Sequence, residues 1–368
     1  NTETLSAMND NAMRVLYAGP VWPGSTTLQR LLALRRLGHR VTEIQTTGLV
    51  EDRSVAAKIL LHLGFPLDRA RANERMVDAA RRGGYDVVWC DKAITLSRRT
   101  LRSVRCSLPK AVLVSYSPDD MLIRLNAGYR FRDVLPLFDV HFTTKPHNIA
   151  ALRRLGASRV ELVQNAYAPE THRPMPRTRE DRLALGGEIG FLGDYEEERA
   201  RSLLRLAREG LSVRVWGTNW SKILADAPPT LRVESSGLYG TDYARAIANF
   251  DITLAFLRKA ARDRVTTRSV EIPACGGFML AERTEEHGSL FEEGKEAEFF
   301  ASDEELLKKC RYYLEHAEQR ERIAAAGRQR CLTGGYSNDE QLKRMLDMAR
   351  AVATSKRRTG DTAVHDND

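Results

Sequence analysis

Residues 266–282 read TTRSVEIPACGGFMLAE and place an arginine and a glutamate at a spacing that suits ligand binding. Arg268 and Glu271 are three positions apart, so a helix would bring both side chains to one face. Arg268 could then neutralise a phosphate, while the carboxylate oxygens of Glu271 accept hydrogen bonds from two vicinal ribose hydroxyls. Gly276 and Gly277 predict the end of that helix ahead of an apolar strand. The alternative is an ordinary surface ion pair, which contributes well under ~1 kcal/mol.

Further cations lie just before this pair. The stretch FLRKAARDRVTTRSVE also contains Arg258, Lys259, Arg262 and Arg264. A diphosphate requires such cations, and an arginine can contact it through two nitrogens at once. We therefore expect this segment to face an anionic ligand.

Glycines end two predicted strands in the second half of the chain. Gly193 ends the strand in GFLGDYEEER, and Arg199 lies on the helix that follows. Gly217 ends the strand in VWGTNW and is followed by Asn219. A glycine at a strand end lets a ligand approach the main chain closely. Trp216, beside Gly217, belongs either to that site or to the core.

The first loop of the chain, GPVWPGSTTLQR, offers Gly24, Ser25 and Thr26 ahead of a predicted helix. Free main-chain N–H groups at such a helix start can hold an anion or a sugar hydroxyl. The alternative, which the residues alone favour, is that Ser25 or Thr26 only caps the helix. The loop matches neither G-x-G-x-x-G nor a Walker A motif, which argues against nicotinamide and ATP sites.

Two further strand ends in the first half carry side chains suited to acid–base chemistry. SYSPDD contains Asp119 and Asp120, and TTKPHN contains His147. A carboxylate or an imidazole there could accept a hydrogen bond from a sugar hydroxyl or act as a base. The alternatives are a helix N-cap for the aspartates and a structural role for the histidine.

The order of the predicted elements indicates an α/β protein. Short apolar runs such as MRVLYAG and DVVWCD alternate with helical segments, which is typical of βαβ units and parallel sheets. A connector rich in Pro, Arg and Thr divides the chain into two Rossmann-like halves, whose ligands bind beyond the carboxyl ends of the strands. The predicted boundaries are 12–168 for an N-terminal domain, 169–186 for a linker, 187–336 for a second domain, 337–354 for a final helix and 355–368 for a disordered tail.

The 368 residues carry a formal charge of +8 and five widely spaced cysteines. Lysine and arginine are spread among acidic residues, and no recognition motif for nucleic acid is present, so a nucleic-acid partner is not expected. Anionic substrates, or attachment to a membrane surface, would each account for the charge. The cysteines form no metal or disulfide pattern, and neither a signal peptide nor a bilayer-spanning run is recognised. These features predict a cytoplasmic protein without a metal site.

Two stretches resemble a known family: IGFLGDYEEERARSLLRLAREGLSVRVWGTNW and TTRSVEIPACGGFMLAERTEEHGSLFEEGKEAEFFAS. A third, FDVHFTTKPHNIAALRRLGASRVELVQNAYAPETHRP, is similar to a lesser degree. Together they resemble the CgeB-like, spore-maturation-type branch of the GT-B glycosyltransferases, which is related to the group 1 retaining enzymes. The resemblance implies two Rossmann-like domains facing across a cleft, with a C-terminal helix that crosses back to the N-terminal domain.

The resemblance also implies a nucleotide-sugar donor bound mainly by the second domain. Group 1 enzymes have a Glu-x7-Glu pattern whose second glutamate holds the donor ribose, and Glu271 matches that second position. Asp263 stands where the first glutamate is expected, so its role stays open. The candidates for holding the diphosphate are Arg268, as first choice, Arg199 and Lys259.

The expected site residues fall into three groups. The catalytic candidates are Asp119, Asp120, His147 and Arg268. The donor-binding candidates are Gly193, Arg199, Trp216, Gly217, Asn219, Lys259, Arg268, Glu271, Gly276 and Gly277. The acceptor-side candidates are Gly24, Ser25, Thr26 and Asn165.

The implied function is transfer of a hexose from a nucleotide-sugar, in the first instance a UDP-sugar, to a glycan, protein, lipid or small molecule. The reaction is expected to need neither a metal nor a cofactor and to retain the anomeric configuration. Two other classes stay open. One is a non-catalytic protein that binds nucleotide-sugars or glycans on the same fold. The other is a nucleotide-dependent oxidoreductase or epimerase, against which the missing G-x-G-x-x-G counts.

Overall fold

The structure, a computed structural model, describes residues 12–47, 60, 66–123 and 129–365, which form two compact units. Unit 1 holds the described residues up to Gln164 together with the C-terminal segment from Asn338, and unit 2 is Asn165–Ser337. Among the described residues each unit contains one six-stranded sheet. The predicted α/β class with two Rossmann-like halves is confirmed.

The sheet of unit 1 is parallel throughout and has the strand order β2-β1-β3-β4-β5-β6. Its strands are β1 (Arg14–Gly19), β2 (Arg40–Gln45), β3 (Val87–Asp91), β4 (Val112–Ser117), β5 (Val140–Thr143) and β6 (Val160–Leu162). The helices between them are α1 (Thr26–Arg36), α2 (Ala72–Arg82), α3 (Arg98–Ser107), α4 (Tyr129–Val134) and α5 (Ile149–Arg154).

The central strands of unit 1 are apolar on both faces because helices cover both sides of the sheet. Every residue of β3 and β4 is buried. Trp89 lies in the core between the rings of Tyr17 and Phe142, at centroid distances of 6.5 and 6.1 Å. This packing fixes the strand ends from which the candidate side chains project.

A buried ion pair connects α1 to the sheet of unit 1. The guanidinium of Arg30 donates from Nε and Nη2 to the carboxylate of Asp91 at 2.6 and 3.0 Å, and the Tyr17 hydroxyl donates to the same group at 2.6 Å. All three side chains are buried, and burial together with Asp91 raises the pKa of Tyr17 well above its ordinary value. Tyr17 therefore remains a donor, and Arg30 holds α1 against the end of β3, where Asp91 lies.

The C-terminal helix α13 (Asn338–His365) belongs to unit 1, as the family resemblance implied. Its buried face, which includes Leu342 and Leu346, joins the core around Trp89, and Asp339 pairs with Arg36 of α1 at 2.9 Å. The predicted disordered tail is wrong over residues 355–365, where α13 continues. That segment has no proline and only one glycine, so nothing in it forces a helix to end. Residues 366–368 lie outside the described residues.

The sheet of unit 2 is also parallel, with the order β12-β11-β10-β7-β8-β9. Its strands are β7 (Gly187–Leu192), β8 (Val213–Trp216), β9 (Leu231–Glu234), β10 (Phe250–Ala255), β11 (Met279–Glu282) and β12 (Glu298–Phe300). Its helices are α6 (Arg179–Ala184), α7 (Glu197–Arg208), α8 (Gly240–Ala248), α9 (Arg268–Ala274), α10 (Glu285–Leu290), α11 (Asp303–Glu315) and α12 (Ala317–Thr333).

The chain changes unit between Gln164 and Asn165, a few residues before the predicted boundary at 168. Tyr167 makes an isolated parallel bridge with Ser337, which binds the entry of unit 2 to its exit. The segment predicted as a linker, 169–186, contains α6 and packs within unit 2.

Candidate functional site

The strand order of unit 2 indicates where a ligand would bind. The chain runs from β7 outward through β8 and β9, then returns to place β10 on the other side of β7. Ligands of such sheets bind where the strand order reverses, beyond the carboxyl ends of the two central strands. The residues that follow β7 and β10 are therefore the first candidates.

Arg199, on the first turns of α7, is buried beside this point with only part of its guanidinium satisfied. The residue is 4% exposed, and its Nη1 donates to the carbonyl of Asp194 at 3.3 Å. Its Nε and Nη2 are buried without a hydrogen-bond partner, and Glu196 is no nearer than 3.9 Å. Burial, aided by Arg268, lowers the pKa of Arg199 to about 10. A buried cation with unused donors is costly unless an anion completes it.

Arg268, the first residue of α9, lies against the end of β7. Its Nε donates to the carbonyl of Leu192 at 2.5 Å. A Cβ added to Gly193 would stand 3.2 Å from Nη2 of Arg268 and 2.7 Å from the ring of Phe191. Gly193 thus leaves room for the arginine at the strand end, and Arg199 and Arg268 repel each other across this small region.

Gly217 packs directly on Gly193, and this close packing requires a glycine at position 217. A Cβ on Gly217 would overlap the carbonyl oxygen of Gly193, and the same oxygen accepts a hydrogen bond from Trp220 Nε1 at 2.9 Å. The ends of β7 and β8 are consequently held together at this glycine pair.

Glu271 lies one turn into α9, on the predicted short helix, and it is 6% exposed. Its Oε2 accepts a hydrogen bond from the Tyr243 hydroxyl at 2.9 Å. Its Oε1 lies 3.8 Å from Nε2 of His172. The alternative of a surface ion pair does not describe this glutamate, because it is buried and contacts a tyrosine and a histidine.

The other donor-side candidates occupy varied positions. Trp216 is in the core and donates from Nε1 to the carbonyl of Leu185 at 3.0 Å. Asn219 is exposed in the left-handed region at φ 65, and Lys259 is exposed and 3.5 Å from Glu282. Gly276, at φ 77, makes the turn after α9, as predicted for the end of that helix.

Gly277 and Asp263 complete the predicted donor side. A Cβ on Gly277 would lie 2.5 Å from Cγ2 of Ile247, so this glycine permits α8 to pack closely. Asp263 lies half-buried in the loop between β10 and α9, where its N–H donates to the carbonyl of Arg258 at 3.1 Å. Its role stays open.

In unit 1, Asp120 and His147 come together at the ends of β4 and β5. The Asp120 side chain is fully buried, and one oxygen accepts from Asn148 Nδ2 at 2.7 Å while the other lies 3.2 Å from His147 Nε2. Because an ionised carboxylate only accepts, this contact places the proton of the neutral imidazole on Nε2. Nδ1 of His147 then carries the lone pair, and the side chain is 29% exposed.

Asp119 makes a different contact from its neighbour. It forms an ion pair with Lys92, which follows β3 and has φ 48. A positive φ is uncommon in a residue with a side chain and often marks a functional strand end. Lys92 was missed from the sequence because its main-chain conformation leaves no trace in residue type.

The first loop behaves as the capping alternative describes. The Ser25 side chain accepts from the N–H of Leu28 at 3.1 Å and caps α1, and Gly24 turns the chain at φ 89. Thr26 Oγ1 accepts from Arg30 at 3.4 Å. Asn165, expected on the acceptor side, lies in unit 2 and donates to the carbonyl of Val265 at 3.5 Å.

The described part of the chain has neither a cluster of metal ligands nor a helix suited to a membrane. No group of three or more metal-ligating side chains is found there. No helix within those residues has the length and apolar character needed to cross a membrane.

A family model described as "Glycosyl transferase-like" matches residues 198–347, a range that includes Arg199, Arg268 and Glu271. No curated protein matches the chain at a significant level.

Solved structures match along nearly the whole chain. Sucrose-phosphate synthase from Thermosynechococcus elongatus has a TM-score of 0.65 at 11% identity, covering 93% of this chain and 100% of its own. A glycosyltransferase from Rickettsia africae has a TM-score of 0.63 at 11% identity, covering 93% and 99%. HepE from Anabaena, in complex with UDP and glucose, has a TM-score of 0.62 at 12% identity, covering 91% and 100%.

The chain has the GT-B fold. At such low identities the likeness establishes the fold alone. The reaction has to be inferred from the side chains of this chain. In a GT-B protein each Rossmann-like unit presents one set of strand ends. Here the cations and Glu271 belong to unit 2, and the Asp120–His147 pair belongs to unit 1.

Proposed function

We propose that this GT-B protein is a glycosyltransferase of the CgeB-like branch, and that unit 2 binds its nucleotide-sugar donor. The observation that carries the proposal is Arg199, a buried cation at the point where the strand order of unit 2 reverses, with two nitrogens that have no hydrogen-bond partner. A diphosphate oxygen supplies the acceptors that these nitrogens lack. Arg268 and Glu271 then meet the remainder of the diphosphate and the ribose.

The two arginines suit the step in which the diphosphate leaves. The bond between the anomeric carbon and the diphosphate oxygen breaks, and a bond from that carbon to the acceptor oxygen forms. Negative charge grows on the departing nucleoside diphosphate, and fixed cations stabilise such charge where it develops. In this proposal Arg199 and Arg268 supply the stabilising positive charge, and no metal ion is needed.

The Asp120–His147 pair is the candidate to bind and activate the hydroxyl of the acceptor. With its proton on Nε2, His147 presents Nδ1 to the hydroxyl that attacks and takes up the proton that this hydroxyl loses. Asp120 holds the ring in that tautomer. The resemblance supports retention of configuration, and the anomeric coupling constants of the product, measured by NMR, would test it.

A UDP-sugar is the donor that we propose. HepE, which shares the fold, has a structure with UDP and glucose and another with UDP-glucose. The resemblance implies transfer of a hexosyl group and leaves the class of acceptor open. The test therefore includes a panel of glycans, lipids, peptides and small molecules as acceptors.

Turnover separates the proposed enzyme from a binding protein on the same fold. UDP-glucose, UDP-galactose and UDP-N-acetylglucosamine would be incubated with the acceptor panel, and both UDP release and glycosylated product would be measured. We expect transfer from one donor, reduced at least tenfold by Arg268→Gln. Tight nucleotide binding without product from any donor would favour the non-catalytic alternative, and turnover that requires NAD would favour the oxidoreductase or epimerase.

We further propose that unit 1 contacts an anionic membrane surface. An open cavity of about 490 Å³ is lined by arginines of α2 and α3, among them Arg81, Arg99 and Arg102, and α3 has no acidic residue. Clustered cations attract anionic lipid headgroups. Co-sedimentation with phosphatidylglycerol vesicles should fall for the double variant Arg99→Glu and Arg102→Glu, but not for Arg201→Glu and Lys308→Glu. Equal sedimentation of both variants would contradict this contact.

A further inference from the structure

We propose that His172 and Tyr243 are positioning residues that orient the Glu271 carboxylate, so that the site distinguishes ribonucleotides from deoxyribonucleotides. The inference rests on the proposed function, because it assumes that a nucleotide ribose meets Glu271. It adds two residues from outside α9 to that site, both in unit 2. Each oxygen of the Glu271 carboxylate has its own neighbour, Tyr243 or His172.

The tautomer of His172 is fixed by its main-chain contact. The N–H of Ala168 donates to Nδ1 of His172 at 3.0 Å, so Nδ1 carries the lone pair and Nε2 carries the proton. Nε2 faces Oε1 of Glu271 at 3.8 Å, with side chains that are 3% and 8% exposed. At that distance the contact is electrostatic and is not a hydrogen bond. It still favours one orientation of a buried carboxylate, because little water screens it.

Tyr243 holds the other oxygen of the carboxylate. Its hydroxyl donates to Oε2 of Glu271 at 2.9 Å. Burial, together with the nearby Glu271, raises the pKa of Tyr243 well above its ordinary value, so the hydroxyl stays a donor. The rings of His172 and Tyr243 meet edge to face with centroids 5.6 Å apart. The two side chains therefore support each other as well as the glutamate.

With His172 and Tyr243 in place, the Glu271 carboxylate can still accept hydrogen bonds from a ligand. An ionised carboxylate offers about four lone-pair sites, and Tyr243 uses one of them. Two vicinal hydroxyls need one site on each oxygen, and they need both oxygens in a fixed plane. A carboxylate that is free to rotate would lose conformational entropy each time a ribose binds. This loss weakens the preference for a diol.

A merely structural role makes a different prediction. If His172 and Tyr243 only satisfied a buried glutamate, their loss would lower stability and weaken every nucleotide to the same degree. An orienting role lowers the ratio of ribonucleotide to deoxyribonucleotide affinity. This ratio is insensitive to the fraction of folded protein, so it separates the two roles.

The test uses the full chain and isothermal titration with UDP, 2′-deoxy-UDP and 3′-deoxy-UDP. We expect the unsubstituted protein to prefer UDP by about tenfold or more, as for loss of a hydrogen bond to a charged group. Tyr243→Phe should reduce that preference to about threefold or less. His172→Asn keeps an acceptor near the position of Nδ1 but removes the Nε2 proton, and it should reduce the preference in the same direction. His172→Gln, which returns an N–H towards Glu271, should restore part of it.

Control variants distinguish failure of the positioning inference from failure of the proposed function. Tyr312→Phe, at an exposed tyrosine of α11, should leave the preference unchanged. If Glu271→Ala loses the preference while Tyr243→Phe and His172→Asn keep it, the positioning inference is overturned and the proposed function stands. If no nucleoside diphosphate binds, or if UDP and its deoxy forms bind equally to the unsubstituted protein, the ribose contact itself is wrong and the inference falls with it.

Discussion

Arg268 Nε donates a hydrogen bond of 2.5 Å to the main-chain carbonyl of Leu192, which attaches the first residue of α9 to the last residue of β7. This contact brings the two loops on either side of the strand-order reversal together. Glu271 lies one turn further along the same helix.

Removing the buried cation beside this contact should weaken diphosphate binding. Arg199→Gln deletes the charge that the unpartnered nitrogens carry, and we expect the affinity for UDP to fall about 10- to 100-fold. The affinity for uridine, which has no phosphate, should change little. Isothermal titration with both ligands measures the difference.

A matched control lies on the same helix. Arg205 of α7 pairs with Glu304 at 2.6 Å in an exposed setting, so Arg205→Gln should bind UDP like the unsubstituted protein. Equal losses in the two variants would show that charge on α7, and not the buried position of Arg199, determines binding.

Gly217 should tolerate no side chain. Gly217→Ala places a methyl group on the Gly193 carbonyl, where the strand ends cannot separate without breaking the bond from Trp220. We expect the free energy of unfolding to fall by about 1–3 kcal/mol in a urea titration. Gly288→Ala is the control, because a Cβ there meets nothing within 4 Å, and an unchanged or higher stability is expected. A Gly217→Ala variant as stable as the control would contradict the packing described here.

Asp120→Asn should impair catalysis more than donor binding. An amide can donate to Nε2 of His147, and it therefore removes the reason for the proton to lie on that nitrogen. We expect kcat to fall about 100-fold with the donor KM within about threefold, measured by product formation. Asp133→Asn, which loses a half-buried contact with Arg98 away from His147, should leave kcat unchanged. A fall in donor affinity without a fall in kcat would place the pair outside the reaction.

His141 should make stability depend on pH below neutrality. Burial lowers its pKa to about 4, and the unfolded chain binds the proton near pH 6.5. Between these values the unfolded state binds more protons, so stability rises with pH and is lost as the pH falls from about 6.5 to 4. The full effect is on the order of 3 kcal/mol.

Replacement of this histidine isolates its contribution. Ser115 Oγ lies 2.9 Å from Nδ1 of His141, and His141→Asn keeps a polar partner for that hydroxyl without a titrating ring. The slope of unfolding free energy against pH should become shallower between pH 4 and 6.5. An identical slope in the variant would assign the dependence to other groups.

Much of the fold could be predicted because the inner strands are continuous apolar runs. β3 and β4 have helices on both faces, and every residue in them is buried, so each gives a strong local pattern. The edge strands β6 and β12 were missed, because segments of three residues are too short to show a period. The continuation of α13 was missed for the opposite reason, since a polar segment without packing signals is typical of disorder.

The site could be predicted only in part. Arg268 and Glu271 share a short segment, so their spacing alone predicted that both lie on one short helix, as they do in α9. His172 and Tyr243 are far from Glu271 along the chain, and no local pattern connects them to it. Two nitrogens of Arg199 are buried without a hydrogen-bond partner, and Lys92 has a left-handed conformation. Both are properties of the tertiary structure and have no signature in residue type.

The central claim is that unit 2 is the nucleotide-sugar site and that Glu271 forms part of it. The most direct test is a thermal-shift panel of UDP, GDP, dTDP, ADP and their sugars, with NAD and NADP as controls, on the unsubstituted protein and on Glu271→Ala. The account predicts that one nucleotide family, in the first instance UDP, raises the Tm and that Glu271→Ala abolishes the rise. A panel without any shift, or a Glu271→Ala variant that responds like the unsubstituted protein, would contradict it.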